Sequence, residues 1–156
     1  MSLSFQNIAY YFTGYTFTAS ILVYALGDAV PPFIADVVRT AAALVAVSTV
    51  YVHARLNCHD EVHRFYERVF QLKLSRTAGV LVDIIAHFLP FFLNGPPRDP
   101  RAIPVGYAVL ALWYLRVRPF IQELYIPTIA LREYDTLIFA VLPVVAAAFA
   151  AARALI

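Results

Sequence analysis

The sequence predicts an all-α polytopic transmembrane bundle with one amphipathic helix at the membrane interface. Hydrophobic residues make up 62% of the 156 residues and charged residues only 14%, whereas soluble domains have about 45–50% apolar and about 25% charged residues. The apolar residues also form long runs separated by Pro, Gly and charged residues. A soluble protein of this size could not bury so much apolar surface, so lipid must be its solvent. We predict one integral membrane domain over residues 1–156.

The membrane spans are predicted from runs of about 20 mainly apolar residues, the length that crosses the hydrocarbon core as a helix. The first run carries no charge and stops at turn-forming residues, Gly27 and Asp28. The third run is short for a span and contains Pro90. The predicted spans are residues 8–26, 33–54, 78–93, 103–118 and 136–155.

The fourth of these spans is ambiguous because its apolar run, residues 102–115, has only 14 residues. At this length a re-entrant segment competes with a span. We favour a span, because Trp113 and Tyr114 suit the headgroup region and Arg116 and Arg118 can snorkel towards it. The sequence therefore predicts five spans, with four as the alternative.

A different pattern lies between the second and third spans, at residues 58–74. Apolar side chains recur there at helical spacing while charged side chains occupy the other side. This pattern predicts an amphipathic helix that lies on the membrane surface or against a partner. Its apolar side consists of Val62, Phe65, Tyr66, Val69 and Phe70.

Basic residues predict the orientation. Residues 55–76 contain five of them, whereas the loop between the first two spans contains none. The positive-inside rule therefore places residues 55–76 on the cytoplasm-equivalent side. With five spans the connection that contains Arg116, Arg118 and Arg132 falls on the same side, which agrees with the rule.

Four ionisable residues lie inside the predicted spans: Asp36, Arg39, Asp83 and His87. If the ends of the second and third spans are level, Arg39 and His87 both lie about 9 Å from the outer end, and Asp83 lies about 6 Å deeper. Arg39 is then within reach of both Asp36 and Asp83, and either can be its partner. The favoured interpretation is a polar clamp that joins two helices. The alternative is a proton or ion relay.

Histidines crowd the start of the amphipathic segment. His59 and His63 are four residues apart, which places both imidazoles on one helix face and makes them weak candidates for metal ligands. A zinc-protease helix has a glutamate directly after its first histidine, where this chain has Asp60, and no third ligand follows at the expected spacing. We therefore predict no metal and no cofactor, with the histidines on the polar face of the helix.

The sequence contains no catalytic motif that we recognise. It has no glycine-rich phosphate loop and no nucleophile elbow. The net charge of +2 is too small for nucleic-acid binding. Small residues at four-residue spacing, Ala42 with Ala46 and Ala146 with Ala150, suit close helix packing in lipid.

These features predict a multi-pass membrane protein without catalytic activity. We expect a structural or assembly subunit of a larger membrane-associated complex, in an organellar or bacterial membrane or in the internal membrane of a large virion. Its expected partners are membrane lipid and other protein subunits. One alternative is a small proton or ion transporter, or a channel subunit, that uses the Asp36, Arg39, Asp83 and His87 cluster. A further alternative is a metal-dependent membrane enzyme.

Overall fold

The computed structural model describes the backbone of residues 3–56, 59–122 and 127–156, and the side chains of residues 13–56, 62–119 and 131–156. The described part of the chain has the predicted all-α class, and its only strands are two-residue segments, Leu3–Ser4 and Ile121–Gln122, that pair in parallel. A π-helical segment, Leu137–Val141, joins the last two helices. The helices are α1 (Phe5–Leu26), α2 (Pro32–Arg55), α3 (His59–Phe70), α4 (Arg76–Asn94), α5 (Ala102–Val117), α6 (Pro127–Thr136) and α7 (Leu142–Leu155).

Within the described residues, three helical segments are long and apolar enough to cross a membrane: Pro32–Arg55, Arg76–Asn94 and Leu131–Leu155. They contain the predicted second, third and fifth spans. The predicted fourth span coincides with α5, which has only 16 residues. The predicted first span coincides with α1, whose side chains are described from Thr13 onwards. The structure thus supports an integral membrane protein with three candidate spans, fewer than the five predicted.

Local sequence signals explain where the helices begin and end. Pro32 opens α2, where its missing N–H would have no helical partner anyway. The Ser75 hydroxyl caps α4 by accepting a hydrogen bond from the Ala78 N–H at 3.2 Å. Gly95, with a φ of 75°, ends the same helix.

The predicted amphipathic helix is present as α3, but it ends four residues earlier than predicted. Gln71 has a φ of 56° and turns the backbone away from the helix. The N–H of Leu72 then donates back to the carbonyl of Tyr66 at 3.3 Å. Tyr66 is buried against the bundle, whereas Val69 and Phe70 are exposed.

The direction of the helices follows from their side-chain contacts. Thr13 of α1 contacts His87 of α4, and Asn94 of α4 contacts Ser20 of α1; both pairs are separated by 74 residues. A constant separation means that α1 and α4 run parallel. By contrast, Arg39 of α2 contacts Asn94 of α4, and the later residue His53 contacts Asp83, which comes earlier in α4. Helix α2 is therefore antiparallel to α1 and to α4.

Helix α2 is central and packs against α1, α4 and α5. Its closest approach is to α5 at Gly106, where an added Cβ would lie 2.7 Å from the Cβ of Thr40. Ala42 and Ala46 are almost completely buried, so this predicted small-residue pair is used inside the bundle. The apolar core between α2, α5 and α7 includes Leu44, Val45, Ile103, Leu110, Tyr114, Leu137, Ile138 and Leu142.

The π-helical segment depends on a proline and a tyrosine. Pro143 has no N–H, and the N–H of Leu142 donates to the carbonyl of Leu137. The carbonyl of Ile138 instead accepts a hydrogen bond from the Tyr107 hydroxyl at 2.8 Å. A side chain of α5 thus satisfies a backbone group of the last helical segment.

Large apolar side chains cover the outside of the bundle. Phe92 and Val144 are each 68% exposed and Leu112 is 66% exposed. In water such a surface would drive aggregation, whereas in a bilayer it contacts acyl chains. This surface agrees with the membrane environment that the composition predicts.

Candidate functional site

The four predicted intramembrane residues fall into two groups at different depths. Arg39 pairs with Asp36, with its Nη1 atom 2.7 Å from Oδ1, and its Nε donates to the carbonyl of Asn94 at 3.1 Å. Asp83 has other partners, His53 and Tyr66. The expected equal depth of Arg39 and His87 is therefore wrong.

The reason is the relative shift of the two helices. Asn94, the last residue of α4, lies beside Arg39, which is more than a turn inside α2. The sequence prediction assumed level helix ends. The seven residues from His87 to Asn94 correspond to about 10 Å of helix, which carries His87 and Asp83 away from Arg39.

The outer group is built on Asp36, which is only 4% exposed. Its carboxyl group pairs with Arg39 and also accepts the backbone N–H groups of Arg98 and Asp99, at 3.2 and 3.0 Å. Arg39 in turn donates a hydrogen bond to the carbonyl of Asn94, at the C-terminal end of α4, where a positive charge is favourable. Asp36 and Arg39 together fix the loop that follows α4.

The same loop contains an ion pair outside the bundle. Arg101 donates to both carboxyl oxygens of Asp99, at 3.1 and 3.0 Å. The hydrogen bonds from Arg101 lower the pKa of Asp99, and Asp99 raises the pKa of Arg101. At the other side of the loop, the Arg153 Nε of α7 donates to the carbonyl of Pro97 at 2.6 Å.

The inner group is centred on Asp83. Its Oδ2 lies 2.7 Å from the Nε2 of His53 on α2, and its Oδ1 accepts the Tyr66 hydroxyl of α3 at 3.1 Å. The exposed fraction of the side chain is 12% for Asp83 and 4% for His53. Burial, and then the nearby Asp83, raise the pKa of the Tyr66 phenol. One carboxyl group thus joins α2, α3 and α4.

His87 extends this group to α1. Its Nδ1 lies 2.7 Å from the backbone carbonyl of Asp83 and its Nε2 lies 2.8 Å from the Thr13 hydroxyl. A carbonyl can only accept, so Nδ1 carries a hydrogen that it donates to this carbonyl. The same Nδ1 is 3.5 Å from the Oδ1 of Asp83. His87 is therefore hydrogen-bonded on both of its nitrogens.

Helix α1 carries hydroxyl side chains between the outer group and the inner group. Thr13, Thr16 and Ser20 are spaced three and four residues apart, which places them on one face. Thr16 is 7% exposed and Ser20 is 1% exposed. Asn94 Nδ2 donates to the carbonyl of Ser20 at 2.9 Å. In the described part of the chain, the Ser20 hydroxyl is the buried side-chain polar atom that has no hydrogen-bond partner.

The outer group, the row of hydroxyl residues on α1 and the inner group are together called the polar seam. It begins at the outer group, follows the hydroxyl face of α1 and ends at the inner group. The polar seam consists of Asp36, Arg39, Asn94, Ser20, Thr16, Thr13, His87, Asp83 and His53.

Sequence reasoning assigned no role to His53 and missed the hydroxyl residues of the polar seam. A signal was present, because Thr13, Thr16 and Ser20 recur at helical spacing in an otherwise apolar span. Tyr66 was assigned to the apolar side of α3, although its hydroxyl contacts Asp83. The intramembrane aspartates and His87, which the sequence marks as polar residues in need of partners, each have hydrogen-bond partners in the structure.

Two further sets of polar contacts, which we call clamps, attach α6 to the bundle. In each of them a tyrosine and an arginine bind one carboxyl group of α6. Tyr51 and Arg55 of α2 contact Glu133, with Tyr51 Oη to Oε2 at 2.6 Å and Arg55 Nη2 to Oε1 at 2.9 Å. Each clamp uses a tyrosine and an arginine four residues apart, on one helix face. The repeated Tyr-x-x-x-Arg spacing is the sequence signal that was overlooked.

The second of these clamps joins α5 to α6. The Tyr114 hydroxyl donates to Asp135 at 2.6 Å, and Arg118 donates two bonds to the same carboxyl group at 2.9 and 2.7 Å. Arg118 and Arg55 thus both pair with carboxyl groups of α6.

The proposed metal ligands receive no support. His63 lies 3.4 Å from the exposed Glu67. The side chains of His59 and Cys58 lie outside the described residues. Among the described side chains, no group of three His, Cys, Asp or Glu residues is placed to hold a metal ion. The absence of a metal and of a cofactor in the functional protein stays a prediction.

The fold and the polar seam together define the class: an all-helical protein with three helices able to cross a membrane and a line of polar groups inside the bundle. No protein family, curated protein or solved structure matches the chain. Functional inference therefore depends on the geometry alone.

Proposed function

We propose that the chain is a non-catalytic structural subunit of a larger membrane-associated complex. The observation that carries this proposal is that the ionisable groups inside the bundle join helices to each other. Asp36, Asp83, Glu133 and Asp135 each bind a side chain or backbone group of another element. A buried charge destabilises a protein unless it is paired, and paired charges here act as clamps. Such an arrangement favours a rigid, structural role of these residues over a catalytic one.

We further propose the five-span topology for this subunit. Helix α1 has 22 residues, about 33 Å, which is sufficient for a span. Helix α5 has 16 residues, about 24 Å, and Arg116 and Arg118 at its end can reach the interface. The contact between Arg55 and Glu133 supports placing residues 55–76 and α6 on the same side. That side is cytoplasm-equivalent by the positive-inside rule.

The outer face of α7 is the surface that suits a neighbouring subunit. Other helices expose large side chains such as Leu112 and Phe92, whereas the exposed residues of α7 are mainly alanine, with Val144 and Leu155 as its large exposed side chains. Small residues on a lipid-facing surface allow a second helix to approach closely. The exposed alanines are Ala147, Ala148, Ala151, Ala152 and Ala154.

The test is extraction of the chain from its own membrane in mild detergent, followed by sizing under native conditions and identification of co-migrating proteins. We expect migration in a complex with a fixed set of partners. The double variant Ala147→Leu, Ala151→Leu should release the chain from that complex, because leucine blocks close helix approach. Val109→Leu, at an exposed position of α5, is the matched control.

Migration of the wild-type chain alone, or only with copies of itself, contradicts this proposal. Equal retention of the alanine double variant and of the Val109→Leu control contradicts the assignment of the docking surface to α7.

A further inference from the structure

We propose that the C-terminal end of α3 and the turn after it, residues 68–76, bind an anionic phospholipid. The negatively charged headgroup would contact basic side chains of this segment, and the acyl chains would contact its apolar side chains. This recognition of lipid is separate from assembly and does not depend on a protein partner.

The first argument is the charge of the segment. Residues 68–76 contain three basic residues and no acidic residue, so their net charge is +3. The basic side chains are all exposed: Arg68, Lys73 and Arg76. Within the described residues, Lys73 has no hydrogen-bond or ion-pair partner. A phosphate group is the anion that such a cluster of cations binds well.

The acidic residues of α3 lie elsewhere on the helix. Asp60 and Glu61 are in its first turn, where negative charge is favourable at the positive end of the helix dipole. Asp60 is eight residues before Arg68, about 12 Å along the helix axis. Glu67 lies 3.4 Å from His63, which is further towards the first turn. The charge of the helix is therefore negative at its beginning and positive at its end.

The second argument is the group of apolar side chains beside these cations. Val69, Phe70 and Leu72 are 52%, 57% and 45% exposed. Val69 and Phe70 lie within about 60° of Tyr66 around the helix axis, and Tyr66 is buried against the bundle. The apolar side of α3 is thus covered by protein at Tyr66 and left half exposed one turn later. Acyl chains are a suitable cover for it.

The third argument is the depth of the segment relative to a candidate span. Helix α4 begins at Arg76 and has 19 residues, about 28 Å of helix, which matches a hydrocarbon core of about 30 Å. Leu81, one turn further on, is 54% exposed on the outside of the bundle. Arg76 therefore lies where α4 enters the headgroup layer, and Lys73 is three residues before it. Lipid phosphates lie at this depth.

These arguments favour lipid over an acidic protein as the occupant. An acidic protein could pair with the cations, but the exposed apolar side chains lie beside the membrane surface, where acyl chains are the nearest apolar partner. The positive-inside rule places this segment on the cytoplasm-equivalent side, and the cytoplasmic leaflet is the one that carries anionic lipids.

The experiment titrates the purified full chain, in an uncharged detergent, with phosphatidylglycerol or with phosphatidylcholine of the same acyl chains. Native mass spectrometry counts the bound lipids and gives the affinity of the first one. We expect phosphatidylglycerol to bind about tenfold more tightly than phosphatidylcholine, because only its headgroup carries a net negative charge for the cations to bind.

Substitutions of the basic residues test where the lipid binds. Each basic residue near an anionic headgroup contributes about fivefold to affinity, so Lys73→Gln should reduce the preference for phosphatidylglycerol by about this factor. The double variant Arg68→Gln, Lys73→Gln should lower the preference to no more than about twofold. The double variant Arg68→Lys, Lys73→Arg keeps the charge and should keep the preference, which separates loss of charge from loss of fold.

The matched control is the double variant Arg98→Gln, Arg101→Gln. It removes the same charge from exposed positions in the loop at the other end of α4. Its preference for phosphatidylglycerol should equal that of wild type. Circular dichroism verifies that all variants are helical before the titration.

A wild-type preference for phosphatidylglycerol of no more than about twofold overturns the proposal. So does an equal loss of preference in the Arg68→Gln, Lys73→Gln variant and in the loop control, because the effect would then come from net charge and not from α3. Since the chain is measured alone, failure here is distinct from failure to migrate in a complex.

Discussion

The Nε2 atom of His53 lies 2.7 Å from the Oδ2 atom of Asp83, which ties the inner end of α2 to a point seven residues inside α4. The same carboxyl group holds Tyr66 of α3. This contact sets the depth of α4 relative to α2, and it attaches the amphipathic helix to the bundle.

Replacement of Asp83 by Asn should destabilise the protein by about 3 kcal/mol, because one member of a buried hydrogen-bonded pair loses its partner. Thermal unfolding in detergent, followed by circular dichroism, measures the change. The control is Asp99→Asn, whose ion pair with Arg101 is in an exposed loop and should matter little. Equal shifts for the two variants would show that Asp83 is not a clamp.

The Tyr66 phenol should make stability depend on alkaline pH. Its folded-state pKa is raised above the ordinary value of 10.0 by burial and by Asp83. A raised pKa contributes stability that is complete below the unfolded value and is lost as the pH rises through the folded value. Midpoints of unfolding between pH 8 and pH 11 should fall in wild type above about pH 10.

Tyr66→Phe should remove that part of the alkaline loss and cost about 1 kcal/mol at neutral pH through the lost hydrogen bond. Tyr24→Phe, at an exposed position of α1, is the control. An alkaline transition that is the same in Tyr66→Phe and in wild type would mean that Tyr66 is not the titrating group.

The crossing of α2 and α5 should not accept a side chain at Gly106. In Gly106→Ala the new Cβ would lie 2.7 Å from the Thr40 Cβ, so the helices must separate, at a cost of about 1–3 kcal/mol. Gly79→Ala provides the comparison, since nothing lies within 4 Å of its added Cβ. Chemical denaturation of both variants tests the close approach, which is refuted if Gly106→Ala is no less stable than Gly79→Ala.

The clamp between Tyr114, Arg118 and Asp135 should protect α6 from local opening. Asp135→Asn removes a carboxylate that accepts three hydrogen bonds, and we expect faster limited proteolysis near α6. The double exchange Arg118→Asp, Asp135→Arg should restore part of the protection by re-forming the pair. Cleavage that is equally slow in Asp135→Asn and in wild type would contradict a holding role for this clamp.

Much of the fold could be predicted because it depends on local patterns. Hydrophobic runs marked α2, α4 and the Leu131–Leu155 segment, and helical spacing marked α3. The register between helices could not be predicted in this way. It depends on where Arg39 meets Asn94, a contact between residues 55 apart, and nothing in the sequence requires helix ends to be level.

The same reason explains the overlooked clamps. Tyr51 and Glu133 are 82 residues apart, so only the Tyr-x-x-x-Arg half of the clamp is visible locally. Hydroxyl residues in apolar helices often bond to their own backbone, as Thr18 does. Their spacing on α1 could be recognised as a polar face towards α4 only once the position of α4 beside α1 was known.

The π-helical segment Leu137–Val141 also determines the direction in which each side chain of α7 points. One extra residue in a helix turns the later side chains by about 100° about the axis. With the bulge, Ala146 faces inward and Ala147 and Ala151 face outward. Removal of one residue from this segment would turn α7 by about 100° about its axis and so carry Ala146 off the inner face.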